Sequence, residues 1–335
     1  MVGVADVLQS TLLGSLYALM ALGLTMTYSI TRVPNFAHAE YVTVGGYTAA
    51  LFTLAYGGSI ALGGPSGAGV IIAAFVLAAL VAAAVALLSD ELVFKPLFRR
   101  SATPLHLLVA SIGAGLVIRY GLSLIVAPYD LLVVSSRIAK DVLRSPSGEP
   151  ITIGGAPLTN LFAGALPTMF GLVVALHLLL TRTRIGKGMR AMASNFDLAR
   201  VAGIKTTNVR RFTWLLAGGL AGVGGAFWVV DVPGTPEMGW GILLWMFAAS
   251  ILGGFTSFWG TIAGGFIVGF AENLGISALH DAFGVSLSYR PLIALVIIVV
   301  VFLIRPQGIT GLTTDELAAA IRKRIAWIRA TIGRA

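Results

Sequence analysis

"TRVPNFAHAEYVTVGGYTAA", residues 31–50, sits between two long apolar runs, and its reading decides the fold. Arg32, Pro34, Asn35, His38 and Glu40 fall within ten residues, and a glycine-bearing apolar stretch follows at once. So dense a polar cluster fits an active site, a substrate pathway, or the corner between two membrane helices. Pro34 cannot sit in a helix interior. Asn35 suits the start of a new helix, its side-chain oxygen taking the amide of Ala37 or His38. Which of the three readings holds depends on the flanks.

Of 335 residues, 57% are apolar and 11% charged, against about a quarter charged in a soluble domain. Nine apolar segments are legible, at about 7–30, 36–57, 69–93, 104–127, 161–181, 212–231, 241–258, 260–279 and 291–304. Several approach or exceed the roughly 20 residues that cross a bilayer. The fold class is therefore all-α: a polytopic helical membrane protein of about nine, between eight and ten, transmembrane helices. Pro104 and Pro291 suit helix starts. The first run lacks a basic leader and reads as a retained span. The seventh and eighth segments, parted only by "GGFTSFWG", form a tight hairpin or a re-entrant pair. The absence of cysteine rules out disulfides, thiolate metal sites and cysteine nucleophiles.

The net charge of +9 is unevenly placed. With the N-terminus outside and nine spans, eighteen Lys and Arg fall in inner segments and four in outer ones. That is the positive-inside pattern of a membrane protein and not a nucleic-acid patch. Two connecting stretches are long. The outer one, 128–160, ends in "PSGEPITIGGAPLTN", whose alternation and Gly-Gly predict a small hairpin. The inner one, 182–211, predicts a short helix from Met189 to Ala202, with Gly203 at a left-handed cap. The C-terminal stretch 313–335 predicts a basic amphipathic helix. It opens on a Thr313–Glu316 capping box, with Leu317, Ile321, Ile325 and Ile328 on one face.

No P-loop is present, and His38, His106, His177 and His280 show no ligand spacing, so no metal or catalytic residue is assigned. The chain does not read as an enzyme. Glycine steps such as Gly218/Gly222 and Gly265/Gly269 predict closely approaching helices. Charges inside spans are costly and rare. Arg119 and Glu272 lie at similar depth on straight spans, so they are expected either to pair or to reach outward separately. With Asn35, His38 and Glu40 they form the candidate lining of a pathway or gate.

Taken together, "LLGSLYALMALGLTMTYSITRVPNFAHAEYVTVGGYTAA", "GKGMRAMASNFDLARVAGI", "FAASILGGFTSFWGTIAGGFIVGFAENLG" and "FLIRPQGITG" resemble the LivH-type permease subunits of branched-chain amino-acid ABC importers. The likeness runs in order along nearly the whole chain. Ala39 stands where the family usually has Gly, and Phe255, Phe258 and Trp259 make one corner bulkier.

The resemblance implies a transmembrane permease domain over 1–312 that pairs with a LivM-like second permease in a prokaryotic cytoplasmic membrane. Asp197, Leu198, Ala199, Gly203 and Ile204 would form the loop gripped by two cytosolic ATPases. ATP-Mg would be bound there and no cofactor by this chain. An extracytoplasmic solute-binding protein would deliver leucine, isoleucine or valine. Relatives that take other amino acids, amides or urea leave the substrate open. An ion-coupled carrier using His38, Glu40, Arg119 and Glu272 is the alternative mechanism.

Overall fold

The computed structural model describes residues 3–56, 65–134, 152–153, 156–157, 160–305 and 307–309. The predicted C-terminal helix, including Thr313 and Glu316, lies outside the described residues. All nine apolar segments are helical. They form α1 (Val4–Thr31), α2 (His38–Ala55), α3 (Pro65–Ser89), α4 (Pro104–Val126) and α5 (Asn160–Arg182), then α8 (Thr206–Asp231), α9 (Met238–Gly253), α10 (Phe258–Phe283) and α11 (Arg290–Ile304). Helix α3 runs on through a π-helical turn, Asp90–Phe94, into a last turn, Lys95–Arg99. Two short helices, α6 (Arg184–Ser194) and α7 (Phe196–Val201), lie in the basic connection.

Among the described residues seven helices are long and apolar enough to cross a membrane, and α2 and α9 are not among them, so nine complete spans are not confirmed. These two have 18 and 16 residues. The hairpin expected near Gly154–Gly155 is present as two paired strands, β1 (Thr152–Ile153) and β2 (Ala156–Pro157).

The helices form two triads, α1-α2-α3 and α8-α9-α10, that exchange their first members. Helix α1 lies antiparallel to α10: Ser10 meets Asn273, Gly14 meets Gly269, Ala18 meets Gly265 and Thr25 meets Thr261. Helix α8 lies antiparallel to α3 in the same way, Gly222 against Ala78, Gly218 against Ala82 and Ala86, and Arg210 against Asp90. The third helices of the two triads thus present matching small residues, Ala82 and Ala86 on α3 for Gly265 and Gly269 on α10. Helices α1 and α8 cross antiparallel, with Gly23 near Ala217 and Met20 near Gly224. The second triad is therefore an inverted copy of the first. Both α1 and α8 are followed by the same pair, Val33-Pro34 and Val232-Pro233.

Close packing of small residues holds these crossings, since lipid supplies no hydrophobic drive between helices. Gly222 is a crowded case, because a Cβ there would overlap the Ala78 carbonyl and Ala82 on α3. Its own Cα already fills the space beside Gly45 on α2. Gly222→Val should therefore destabilise the purified protein by about 1–3 kcal/mol or more, seen as a lower thermal midpoint. Gly113→Val on α4, where a Cβ meets nothing, should be neutral. Equal effects from the two would contradict the crossing described.

Candidate functional site

The opening stretch builds the site. Arg32 caps α1 in the left-handed conformation (φ 56°), its amide returning to the Tyr28 carbonyl. A guanidinium nitrogen of Arg32 also donates to the Ala193 carbonyl of α6. The chain then doubles back along α1. The amide of Ala37 donates to Asn35 Oδ1 at 3.0 Å, one of the two bonds expected from the sequence, and the helix itself opens on Ala37 with no side-chain cap. The amide of Phe36 donates to Ser111 Oγ on α4 at 3.2 Å.

His38 Nε2 donates to the Met20 carbonyl at 2.9 Å. Met20 lies eleven residues before the end of α1, or about 16 Å back along it at 1.5 Å per residue. Helix α2 therefore starts well inside the bundle. The second triad repeats the device from the other direction. After Asp231 the chain turns back, pairs Gly234 with Val134, and starts α9 against the start of α2. There the Gly239 amide donates to Thr43 Oγ1 at 3.1 Å, and Gly239 abuts the Ala39 carbonyl. Two helix N-termini thus meet in the interior.

A buried charge pair sits at this junction. Arg119 Nε donates to Glu40 Oε1 at 3.2 Å, and a second guanidinium nitrogen reaches the same oxygen. Both residues are buried, at 8% and 1% exposure. Ser111, Gly115 and Arg119 line one face of α4 at four-residue spacing, and Gly115 brings α4 close to Ala37 and Glu40. The Arg119 guanidinium also lies over the Trp240 ring of α9, 5.0 Å from its centroid. Phe36 and Phe247 complete an aromatic border, 5.0 Å apart. Trp240 remains 44% exposed, so the junction opens toward the outside of this chain. Buried polar atoms without a hydrogen-bond partner among the described residues include Asn35 Nδ2, His38 Nδ1 and Glu40 Oε2.

The structure thus brings Asn35, His38, Glu40 and Arg119 together and leaves Glu272 apart. Arg119 pairs with Glu40 and not with Glu272, and neither charge reaches outward. Glu272 Oε2 accepts from Tyr17 Oη at 2.6 Å, beside Trp245 stacked on Tyr17 at 5.5 Å. Depth counted along straight spans misplaced the pair because α2 is not a full span. Sequence reasoning also missed Thr43, Gly239 and Trp240, although the repeated Val-Pro after α1 and α8 marks both helix breaks. Among the described residues no group of three His, Asp or Glu is arranged to hold a metal ion.

The basic connection carries a second feature. One helix was expected from Met189 to Ala202, but Asn195 divides it, because its Oδ1 accepts the Leu198 amide at 2.9 Å and caps a new helix. The resulting α7 holds Asp197, Leu198 and Ala199. It ends at Gly203 (φ 82°), with the Ile204 amide returning to the Ala199 carbonyl at 3.1 Å. Ala199 is buried, whereas Leu198 and Val201 stand 65% and 84% exposed. The connection thus presents two apolar side chains to solvent, beside the buried Ala199.

A family model described as the permease component of the branched-chain amino acid transport system matches residues 7–304. The probable branched-chain amino acid transport permease protein LivH of Methanocaldococcus jannaschii is 35% identical over 309 residues, spanning 90% of this chain and 91% of that protein. The high-affinity branched-chain amino acid transport system permease protein LivH of Escherichia coli is 28% identical over 304 residues, 89% of this chain and 92% of its own. The corresponding protein BraD of Pseudomonas aeruginosa is 29% identical over the same shares. No solved structure matches the chain. With seven helices among the described residues fit to cross a membrane and a family match along nearly its whole length, the chain belongs to the branched-chain amino-acid transport permeases, multi-pass proteins of the prokaryotic cytoplasmic membrane.

Proposed function

We propose that this chain is the membrane-spanning subunit of an ATP-driven importer for branched-chain or other small hydrophobic amino acids. It shares its translocation path with a LivM-like second permease. The observation that carries this reading is the meeting of two helix N-termini, α2 and α9, inside the bundle at the Glu40–Arg119 pair. Interrupted helices at corresponding positions of an inverted repeat mark substrate sites in membrane transporters. An amino acid carries one carboxylate and one ammonium, and Arg119 and Glu40 offer a counter-charge for each. Phe36, Phe247 and Trp240 supply apolar surface beside them. Asn35 and His38 hold the α2 start in place, and Glu272 stiffens the neighbouring α1–α10 crossing through Tyr17. Since the junction opens through Trp240 toward the outside of this chain, a second permease would complete the path.

Force would enter through α7. Residues 1–312 act as the permease domain, the connection 182–211 couples it to cytosolic ATPases, and residues 313–335 serve as a membrane-surface tail. Two ATPases, carrying the ATP-Mg, would seat on Leu198 and Val201 beside Asp197. Gly203 and Ile204 pass the motion into α8. A solute-binding protein outside the membrane would select and deliver the ligand.

Two expectations follow from these assignments. Glu40→Gln or Arg119→Met alone leaves a buried group uncompensated and should cost about 3–5 kcal/mol of stability. Combining Glu40→Leu with Arg119→Met should restore folded yield while ATP-driven leucine uptake stays at background. Uptake at the parental level in that double variant would remove the pair from the path. Leu198→Glu with Val201→Glu should leave the permease folded and release the copurifying ATPases. If ATPases and ATP-driven uptake both survived, the coupling role of α7 would be wrong.

A further inference from the structure

The cytoplasmic-type end of α3 carries a feature the transport path does not use. Asp90 is fully buried, and both its carboxylate oxygens accept from Arg210 Nε at 2.9 Å. A second Arg210 nitrogen reaches Oδ1, and the guanidinium lies 4.4 Å from the Phe98 ring centroid. The next residue, Glu91, binds both Arg211 and Lys95. Two consecutive acids on α3 thus grip two consecutive arginines in the opening turns of α8. The grip also suits α8, because carboxylates are favoured at a helix N-terminus.

The π-helical turn makes the grip possible. The amide of Lys95 reaches the carbonyl of Asp90, five residues back. Pro96 has no amide for the Leu92 carbonyl and would crowd it in a regular helix, so a widened turn relieves the site. In a straight α-helix, eight residues at about 100° each leave Phe98 roughly 80° away from Asp90. One inserted residue reduces this to about 20°. Asp90 and Phe98 therefore hold Arg210 from the same side.

Position gives the grip its meaning. Helix α8 begins five residues after α7 ends, across Gly203. A cavity of about 440 Å³, bordered by Phe196, Arg200, Phe98 and Lys95, separates α7 from α3. The corresponding place in the other triad, Asn273 on α10, is tied to α1 by one neutral amide that donates to the Asp6 carbonyl and Ser10 Oγ, each at 3.0 Å. A neutral amide thus fills the matching position of this crossing, whereas the end beside α7 uses a buried bidentate ion pair and a second pair next to it.

We propose that Asp90–Arg210 is a transmission latch, positioning α3 to move with α8 when a cytosolic partner displaces α7. The latch rests on the coupling role of α7 proposed above. Without it, displacement of α7 turns α8 alone, and α3 slips along the Gly218–Ala82 seam. ATP hydrolysis then continues while the path opens less often.

The test uses the complex purified through a tag on this chain and reconstituted in liposomes, with radiolabelled leucine as the probe. Asp90→Asn and Arg210→Gln should keep the ATPases bound and hydrolysis near the parental rate. Leucine transported per ATP should fall about tenfold, within the range of coupling between linked sites. Arg210→Lys keeps the charge and loses the two-pronged geometry, so it should recover part of the ratio. An unchanged ratio in Asp90→Asn and Arg210→Gln would overturn the latch. So would hydrolysis and uptake falling together, or failure of both variants to assemble, since each makes the pair structural. If the parental chain itself brought down no ATPase, the proposed function would fail first.

Discussion

A helix that begins inside a membrane must find partners for its first amides, because the hydrocarbon offers none. Much of this molecule meets that demand twice. At the start of α2, Asn35 takes the Ala37 amide and Ser111 takes that of Phe36, while the next amides close a tight turn onto carbonyls three residues back. At the start of α9, Thr43 takes the Gly239 amide and the Thr235 carbonyl takes that of Met238. Ser111 lies on α4 and Thr43 on α2, so each broken helix is held in part by a neighbouring helix.

That requirement explains the small residues. Each broken helix occupies space between two long ones, and the long ones must come close to close the gap. Glycine and alanine allow backbone approach along α1–α10 and α8–α3, and Gly45 admits α8 to α2. Once the helix starts are fixed, a carboxylate at the third position of α2 faces an arginine midway along α4, with Trp240 over it. The chemistry of the proposed path is thus a consequence of where two helices are interrupted. In the proposed mechanism the basic connection supplies the second half, a short helix with Leu198 and Val201 exposed, joined through one left-handed glycine to α8.

Much of the fold was legible in the sequence. Nine apolar runs gave nine helices, because burial in lipid writes itself directly into composition. The Asn35–Ala37 bond, the Gly203 turn and the Thr152–Pro157 hairpin followed from local chemistry that needs no tertiary partner. Other features were not local. The Glu40–Arg119 pair was hidden because α2 begins about 16 Å back along α1, a fact of tertiary packing that span-counting cannot see. Asn195 was read through as helix, although a residue of its type is a preferred helix cap. The inverted repeat was marked only by Val-Pro after α1 and α8, too short a match to stand out. Asp90 and Arg210 lie 120 residues apart, and neither announces the other.

The central claim is that the meeting point of α2 and α9 faces a water-filled path and not lipid. The chain has no cysteine, so single cysteines introduced at Phe36, Trp240 and, as a lipid-facing reference, Ile125 report cleanly. The decisive measurement is the rate at which a charged, membrane-impermeant thiol reagent modifies each, in the assembled transporter with and without ATP. The account predicts that positions 36 and 240 react readily, that their rates change with ATP, and that excess leucine slows them, while position 125 stays inert. Modification at 36 and 240 as slow as at 125 in every state would contradict it.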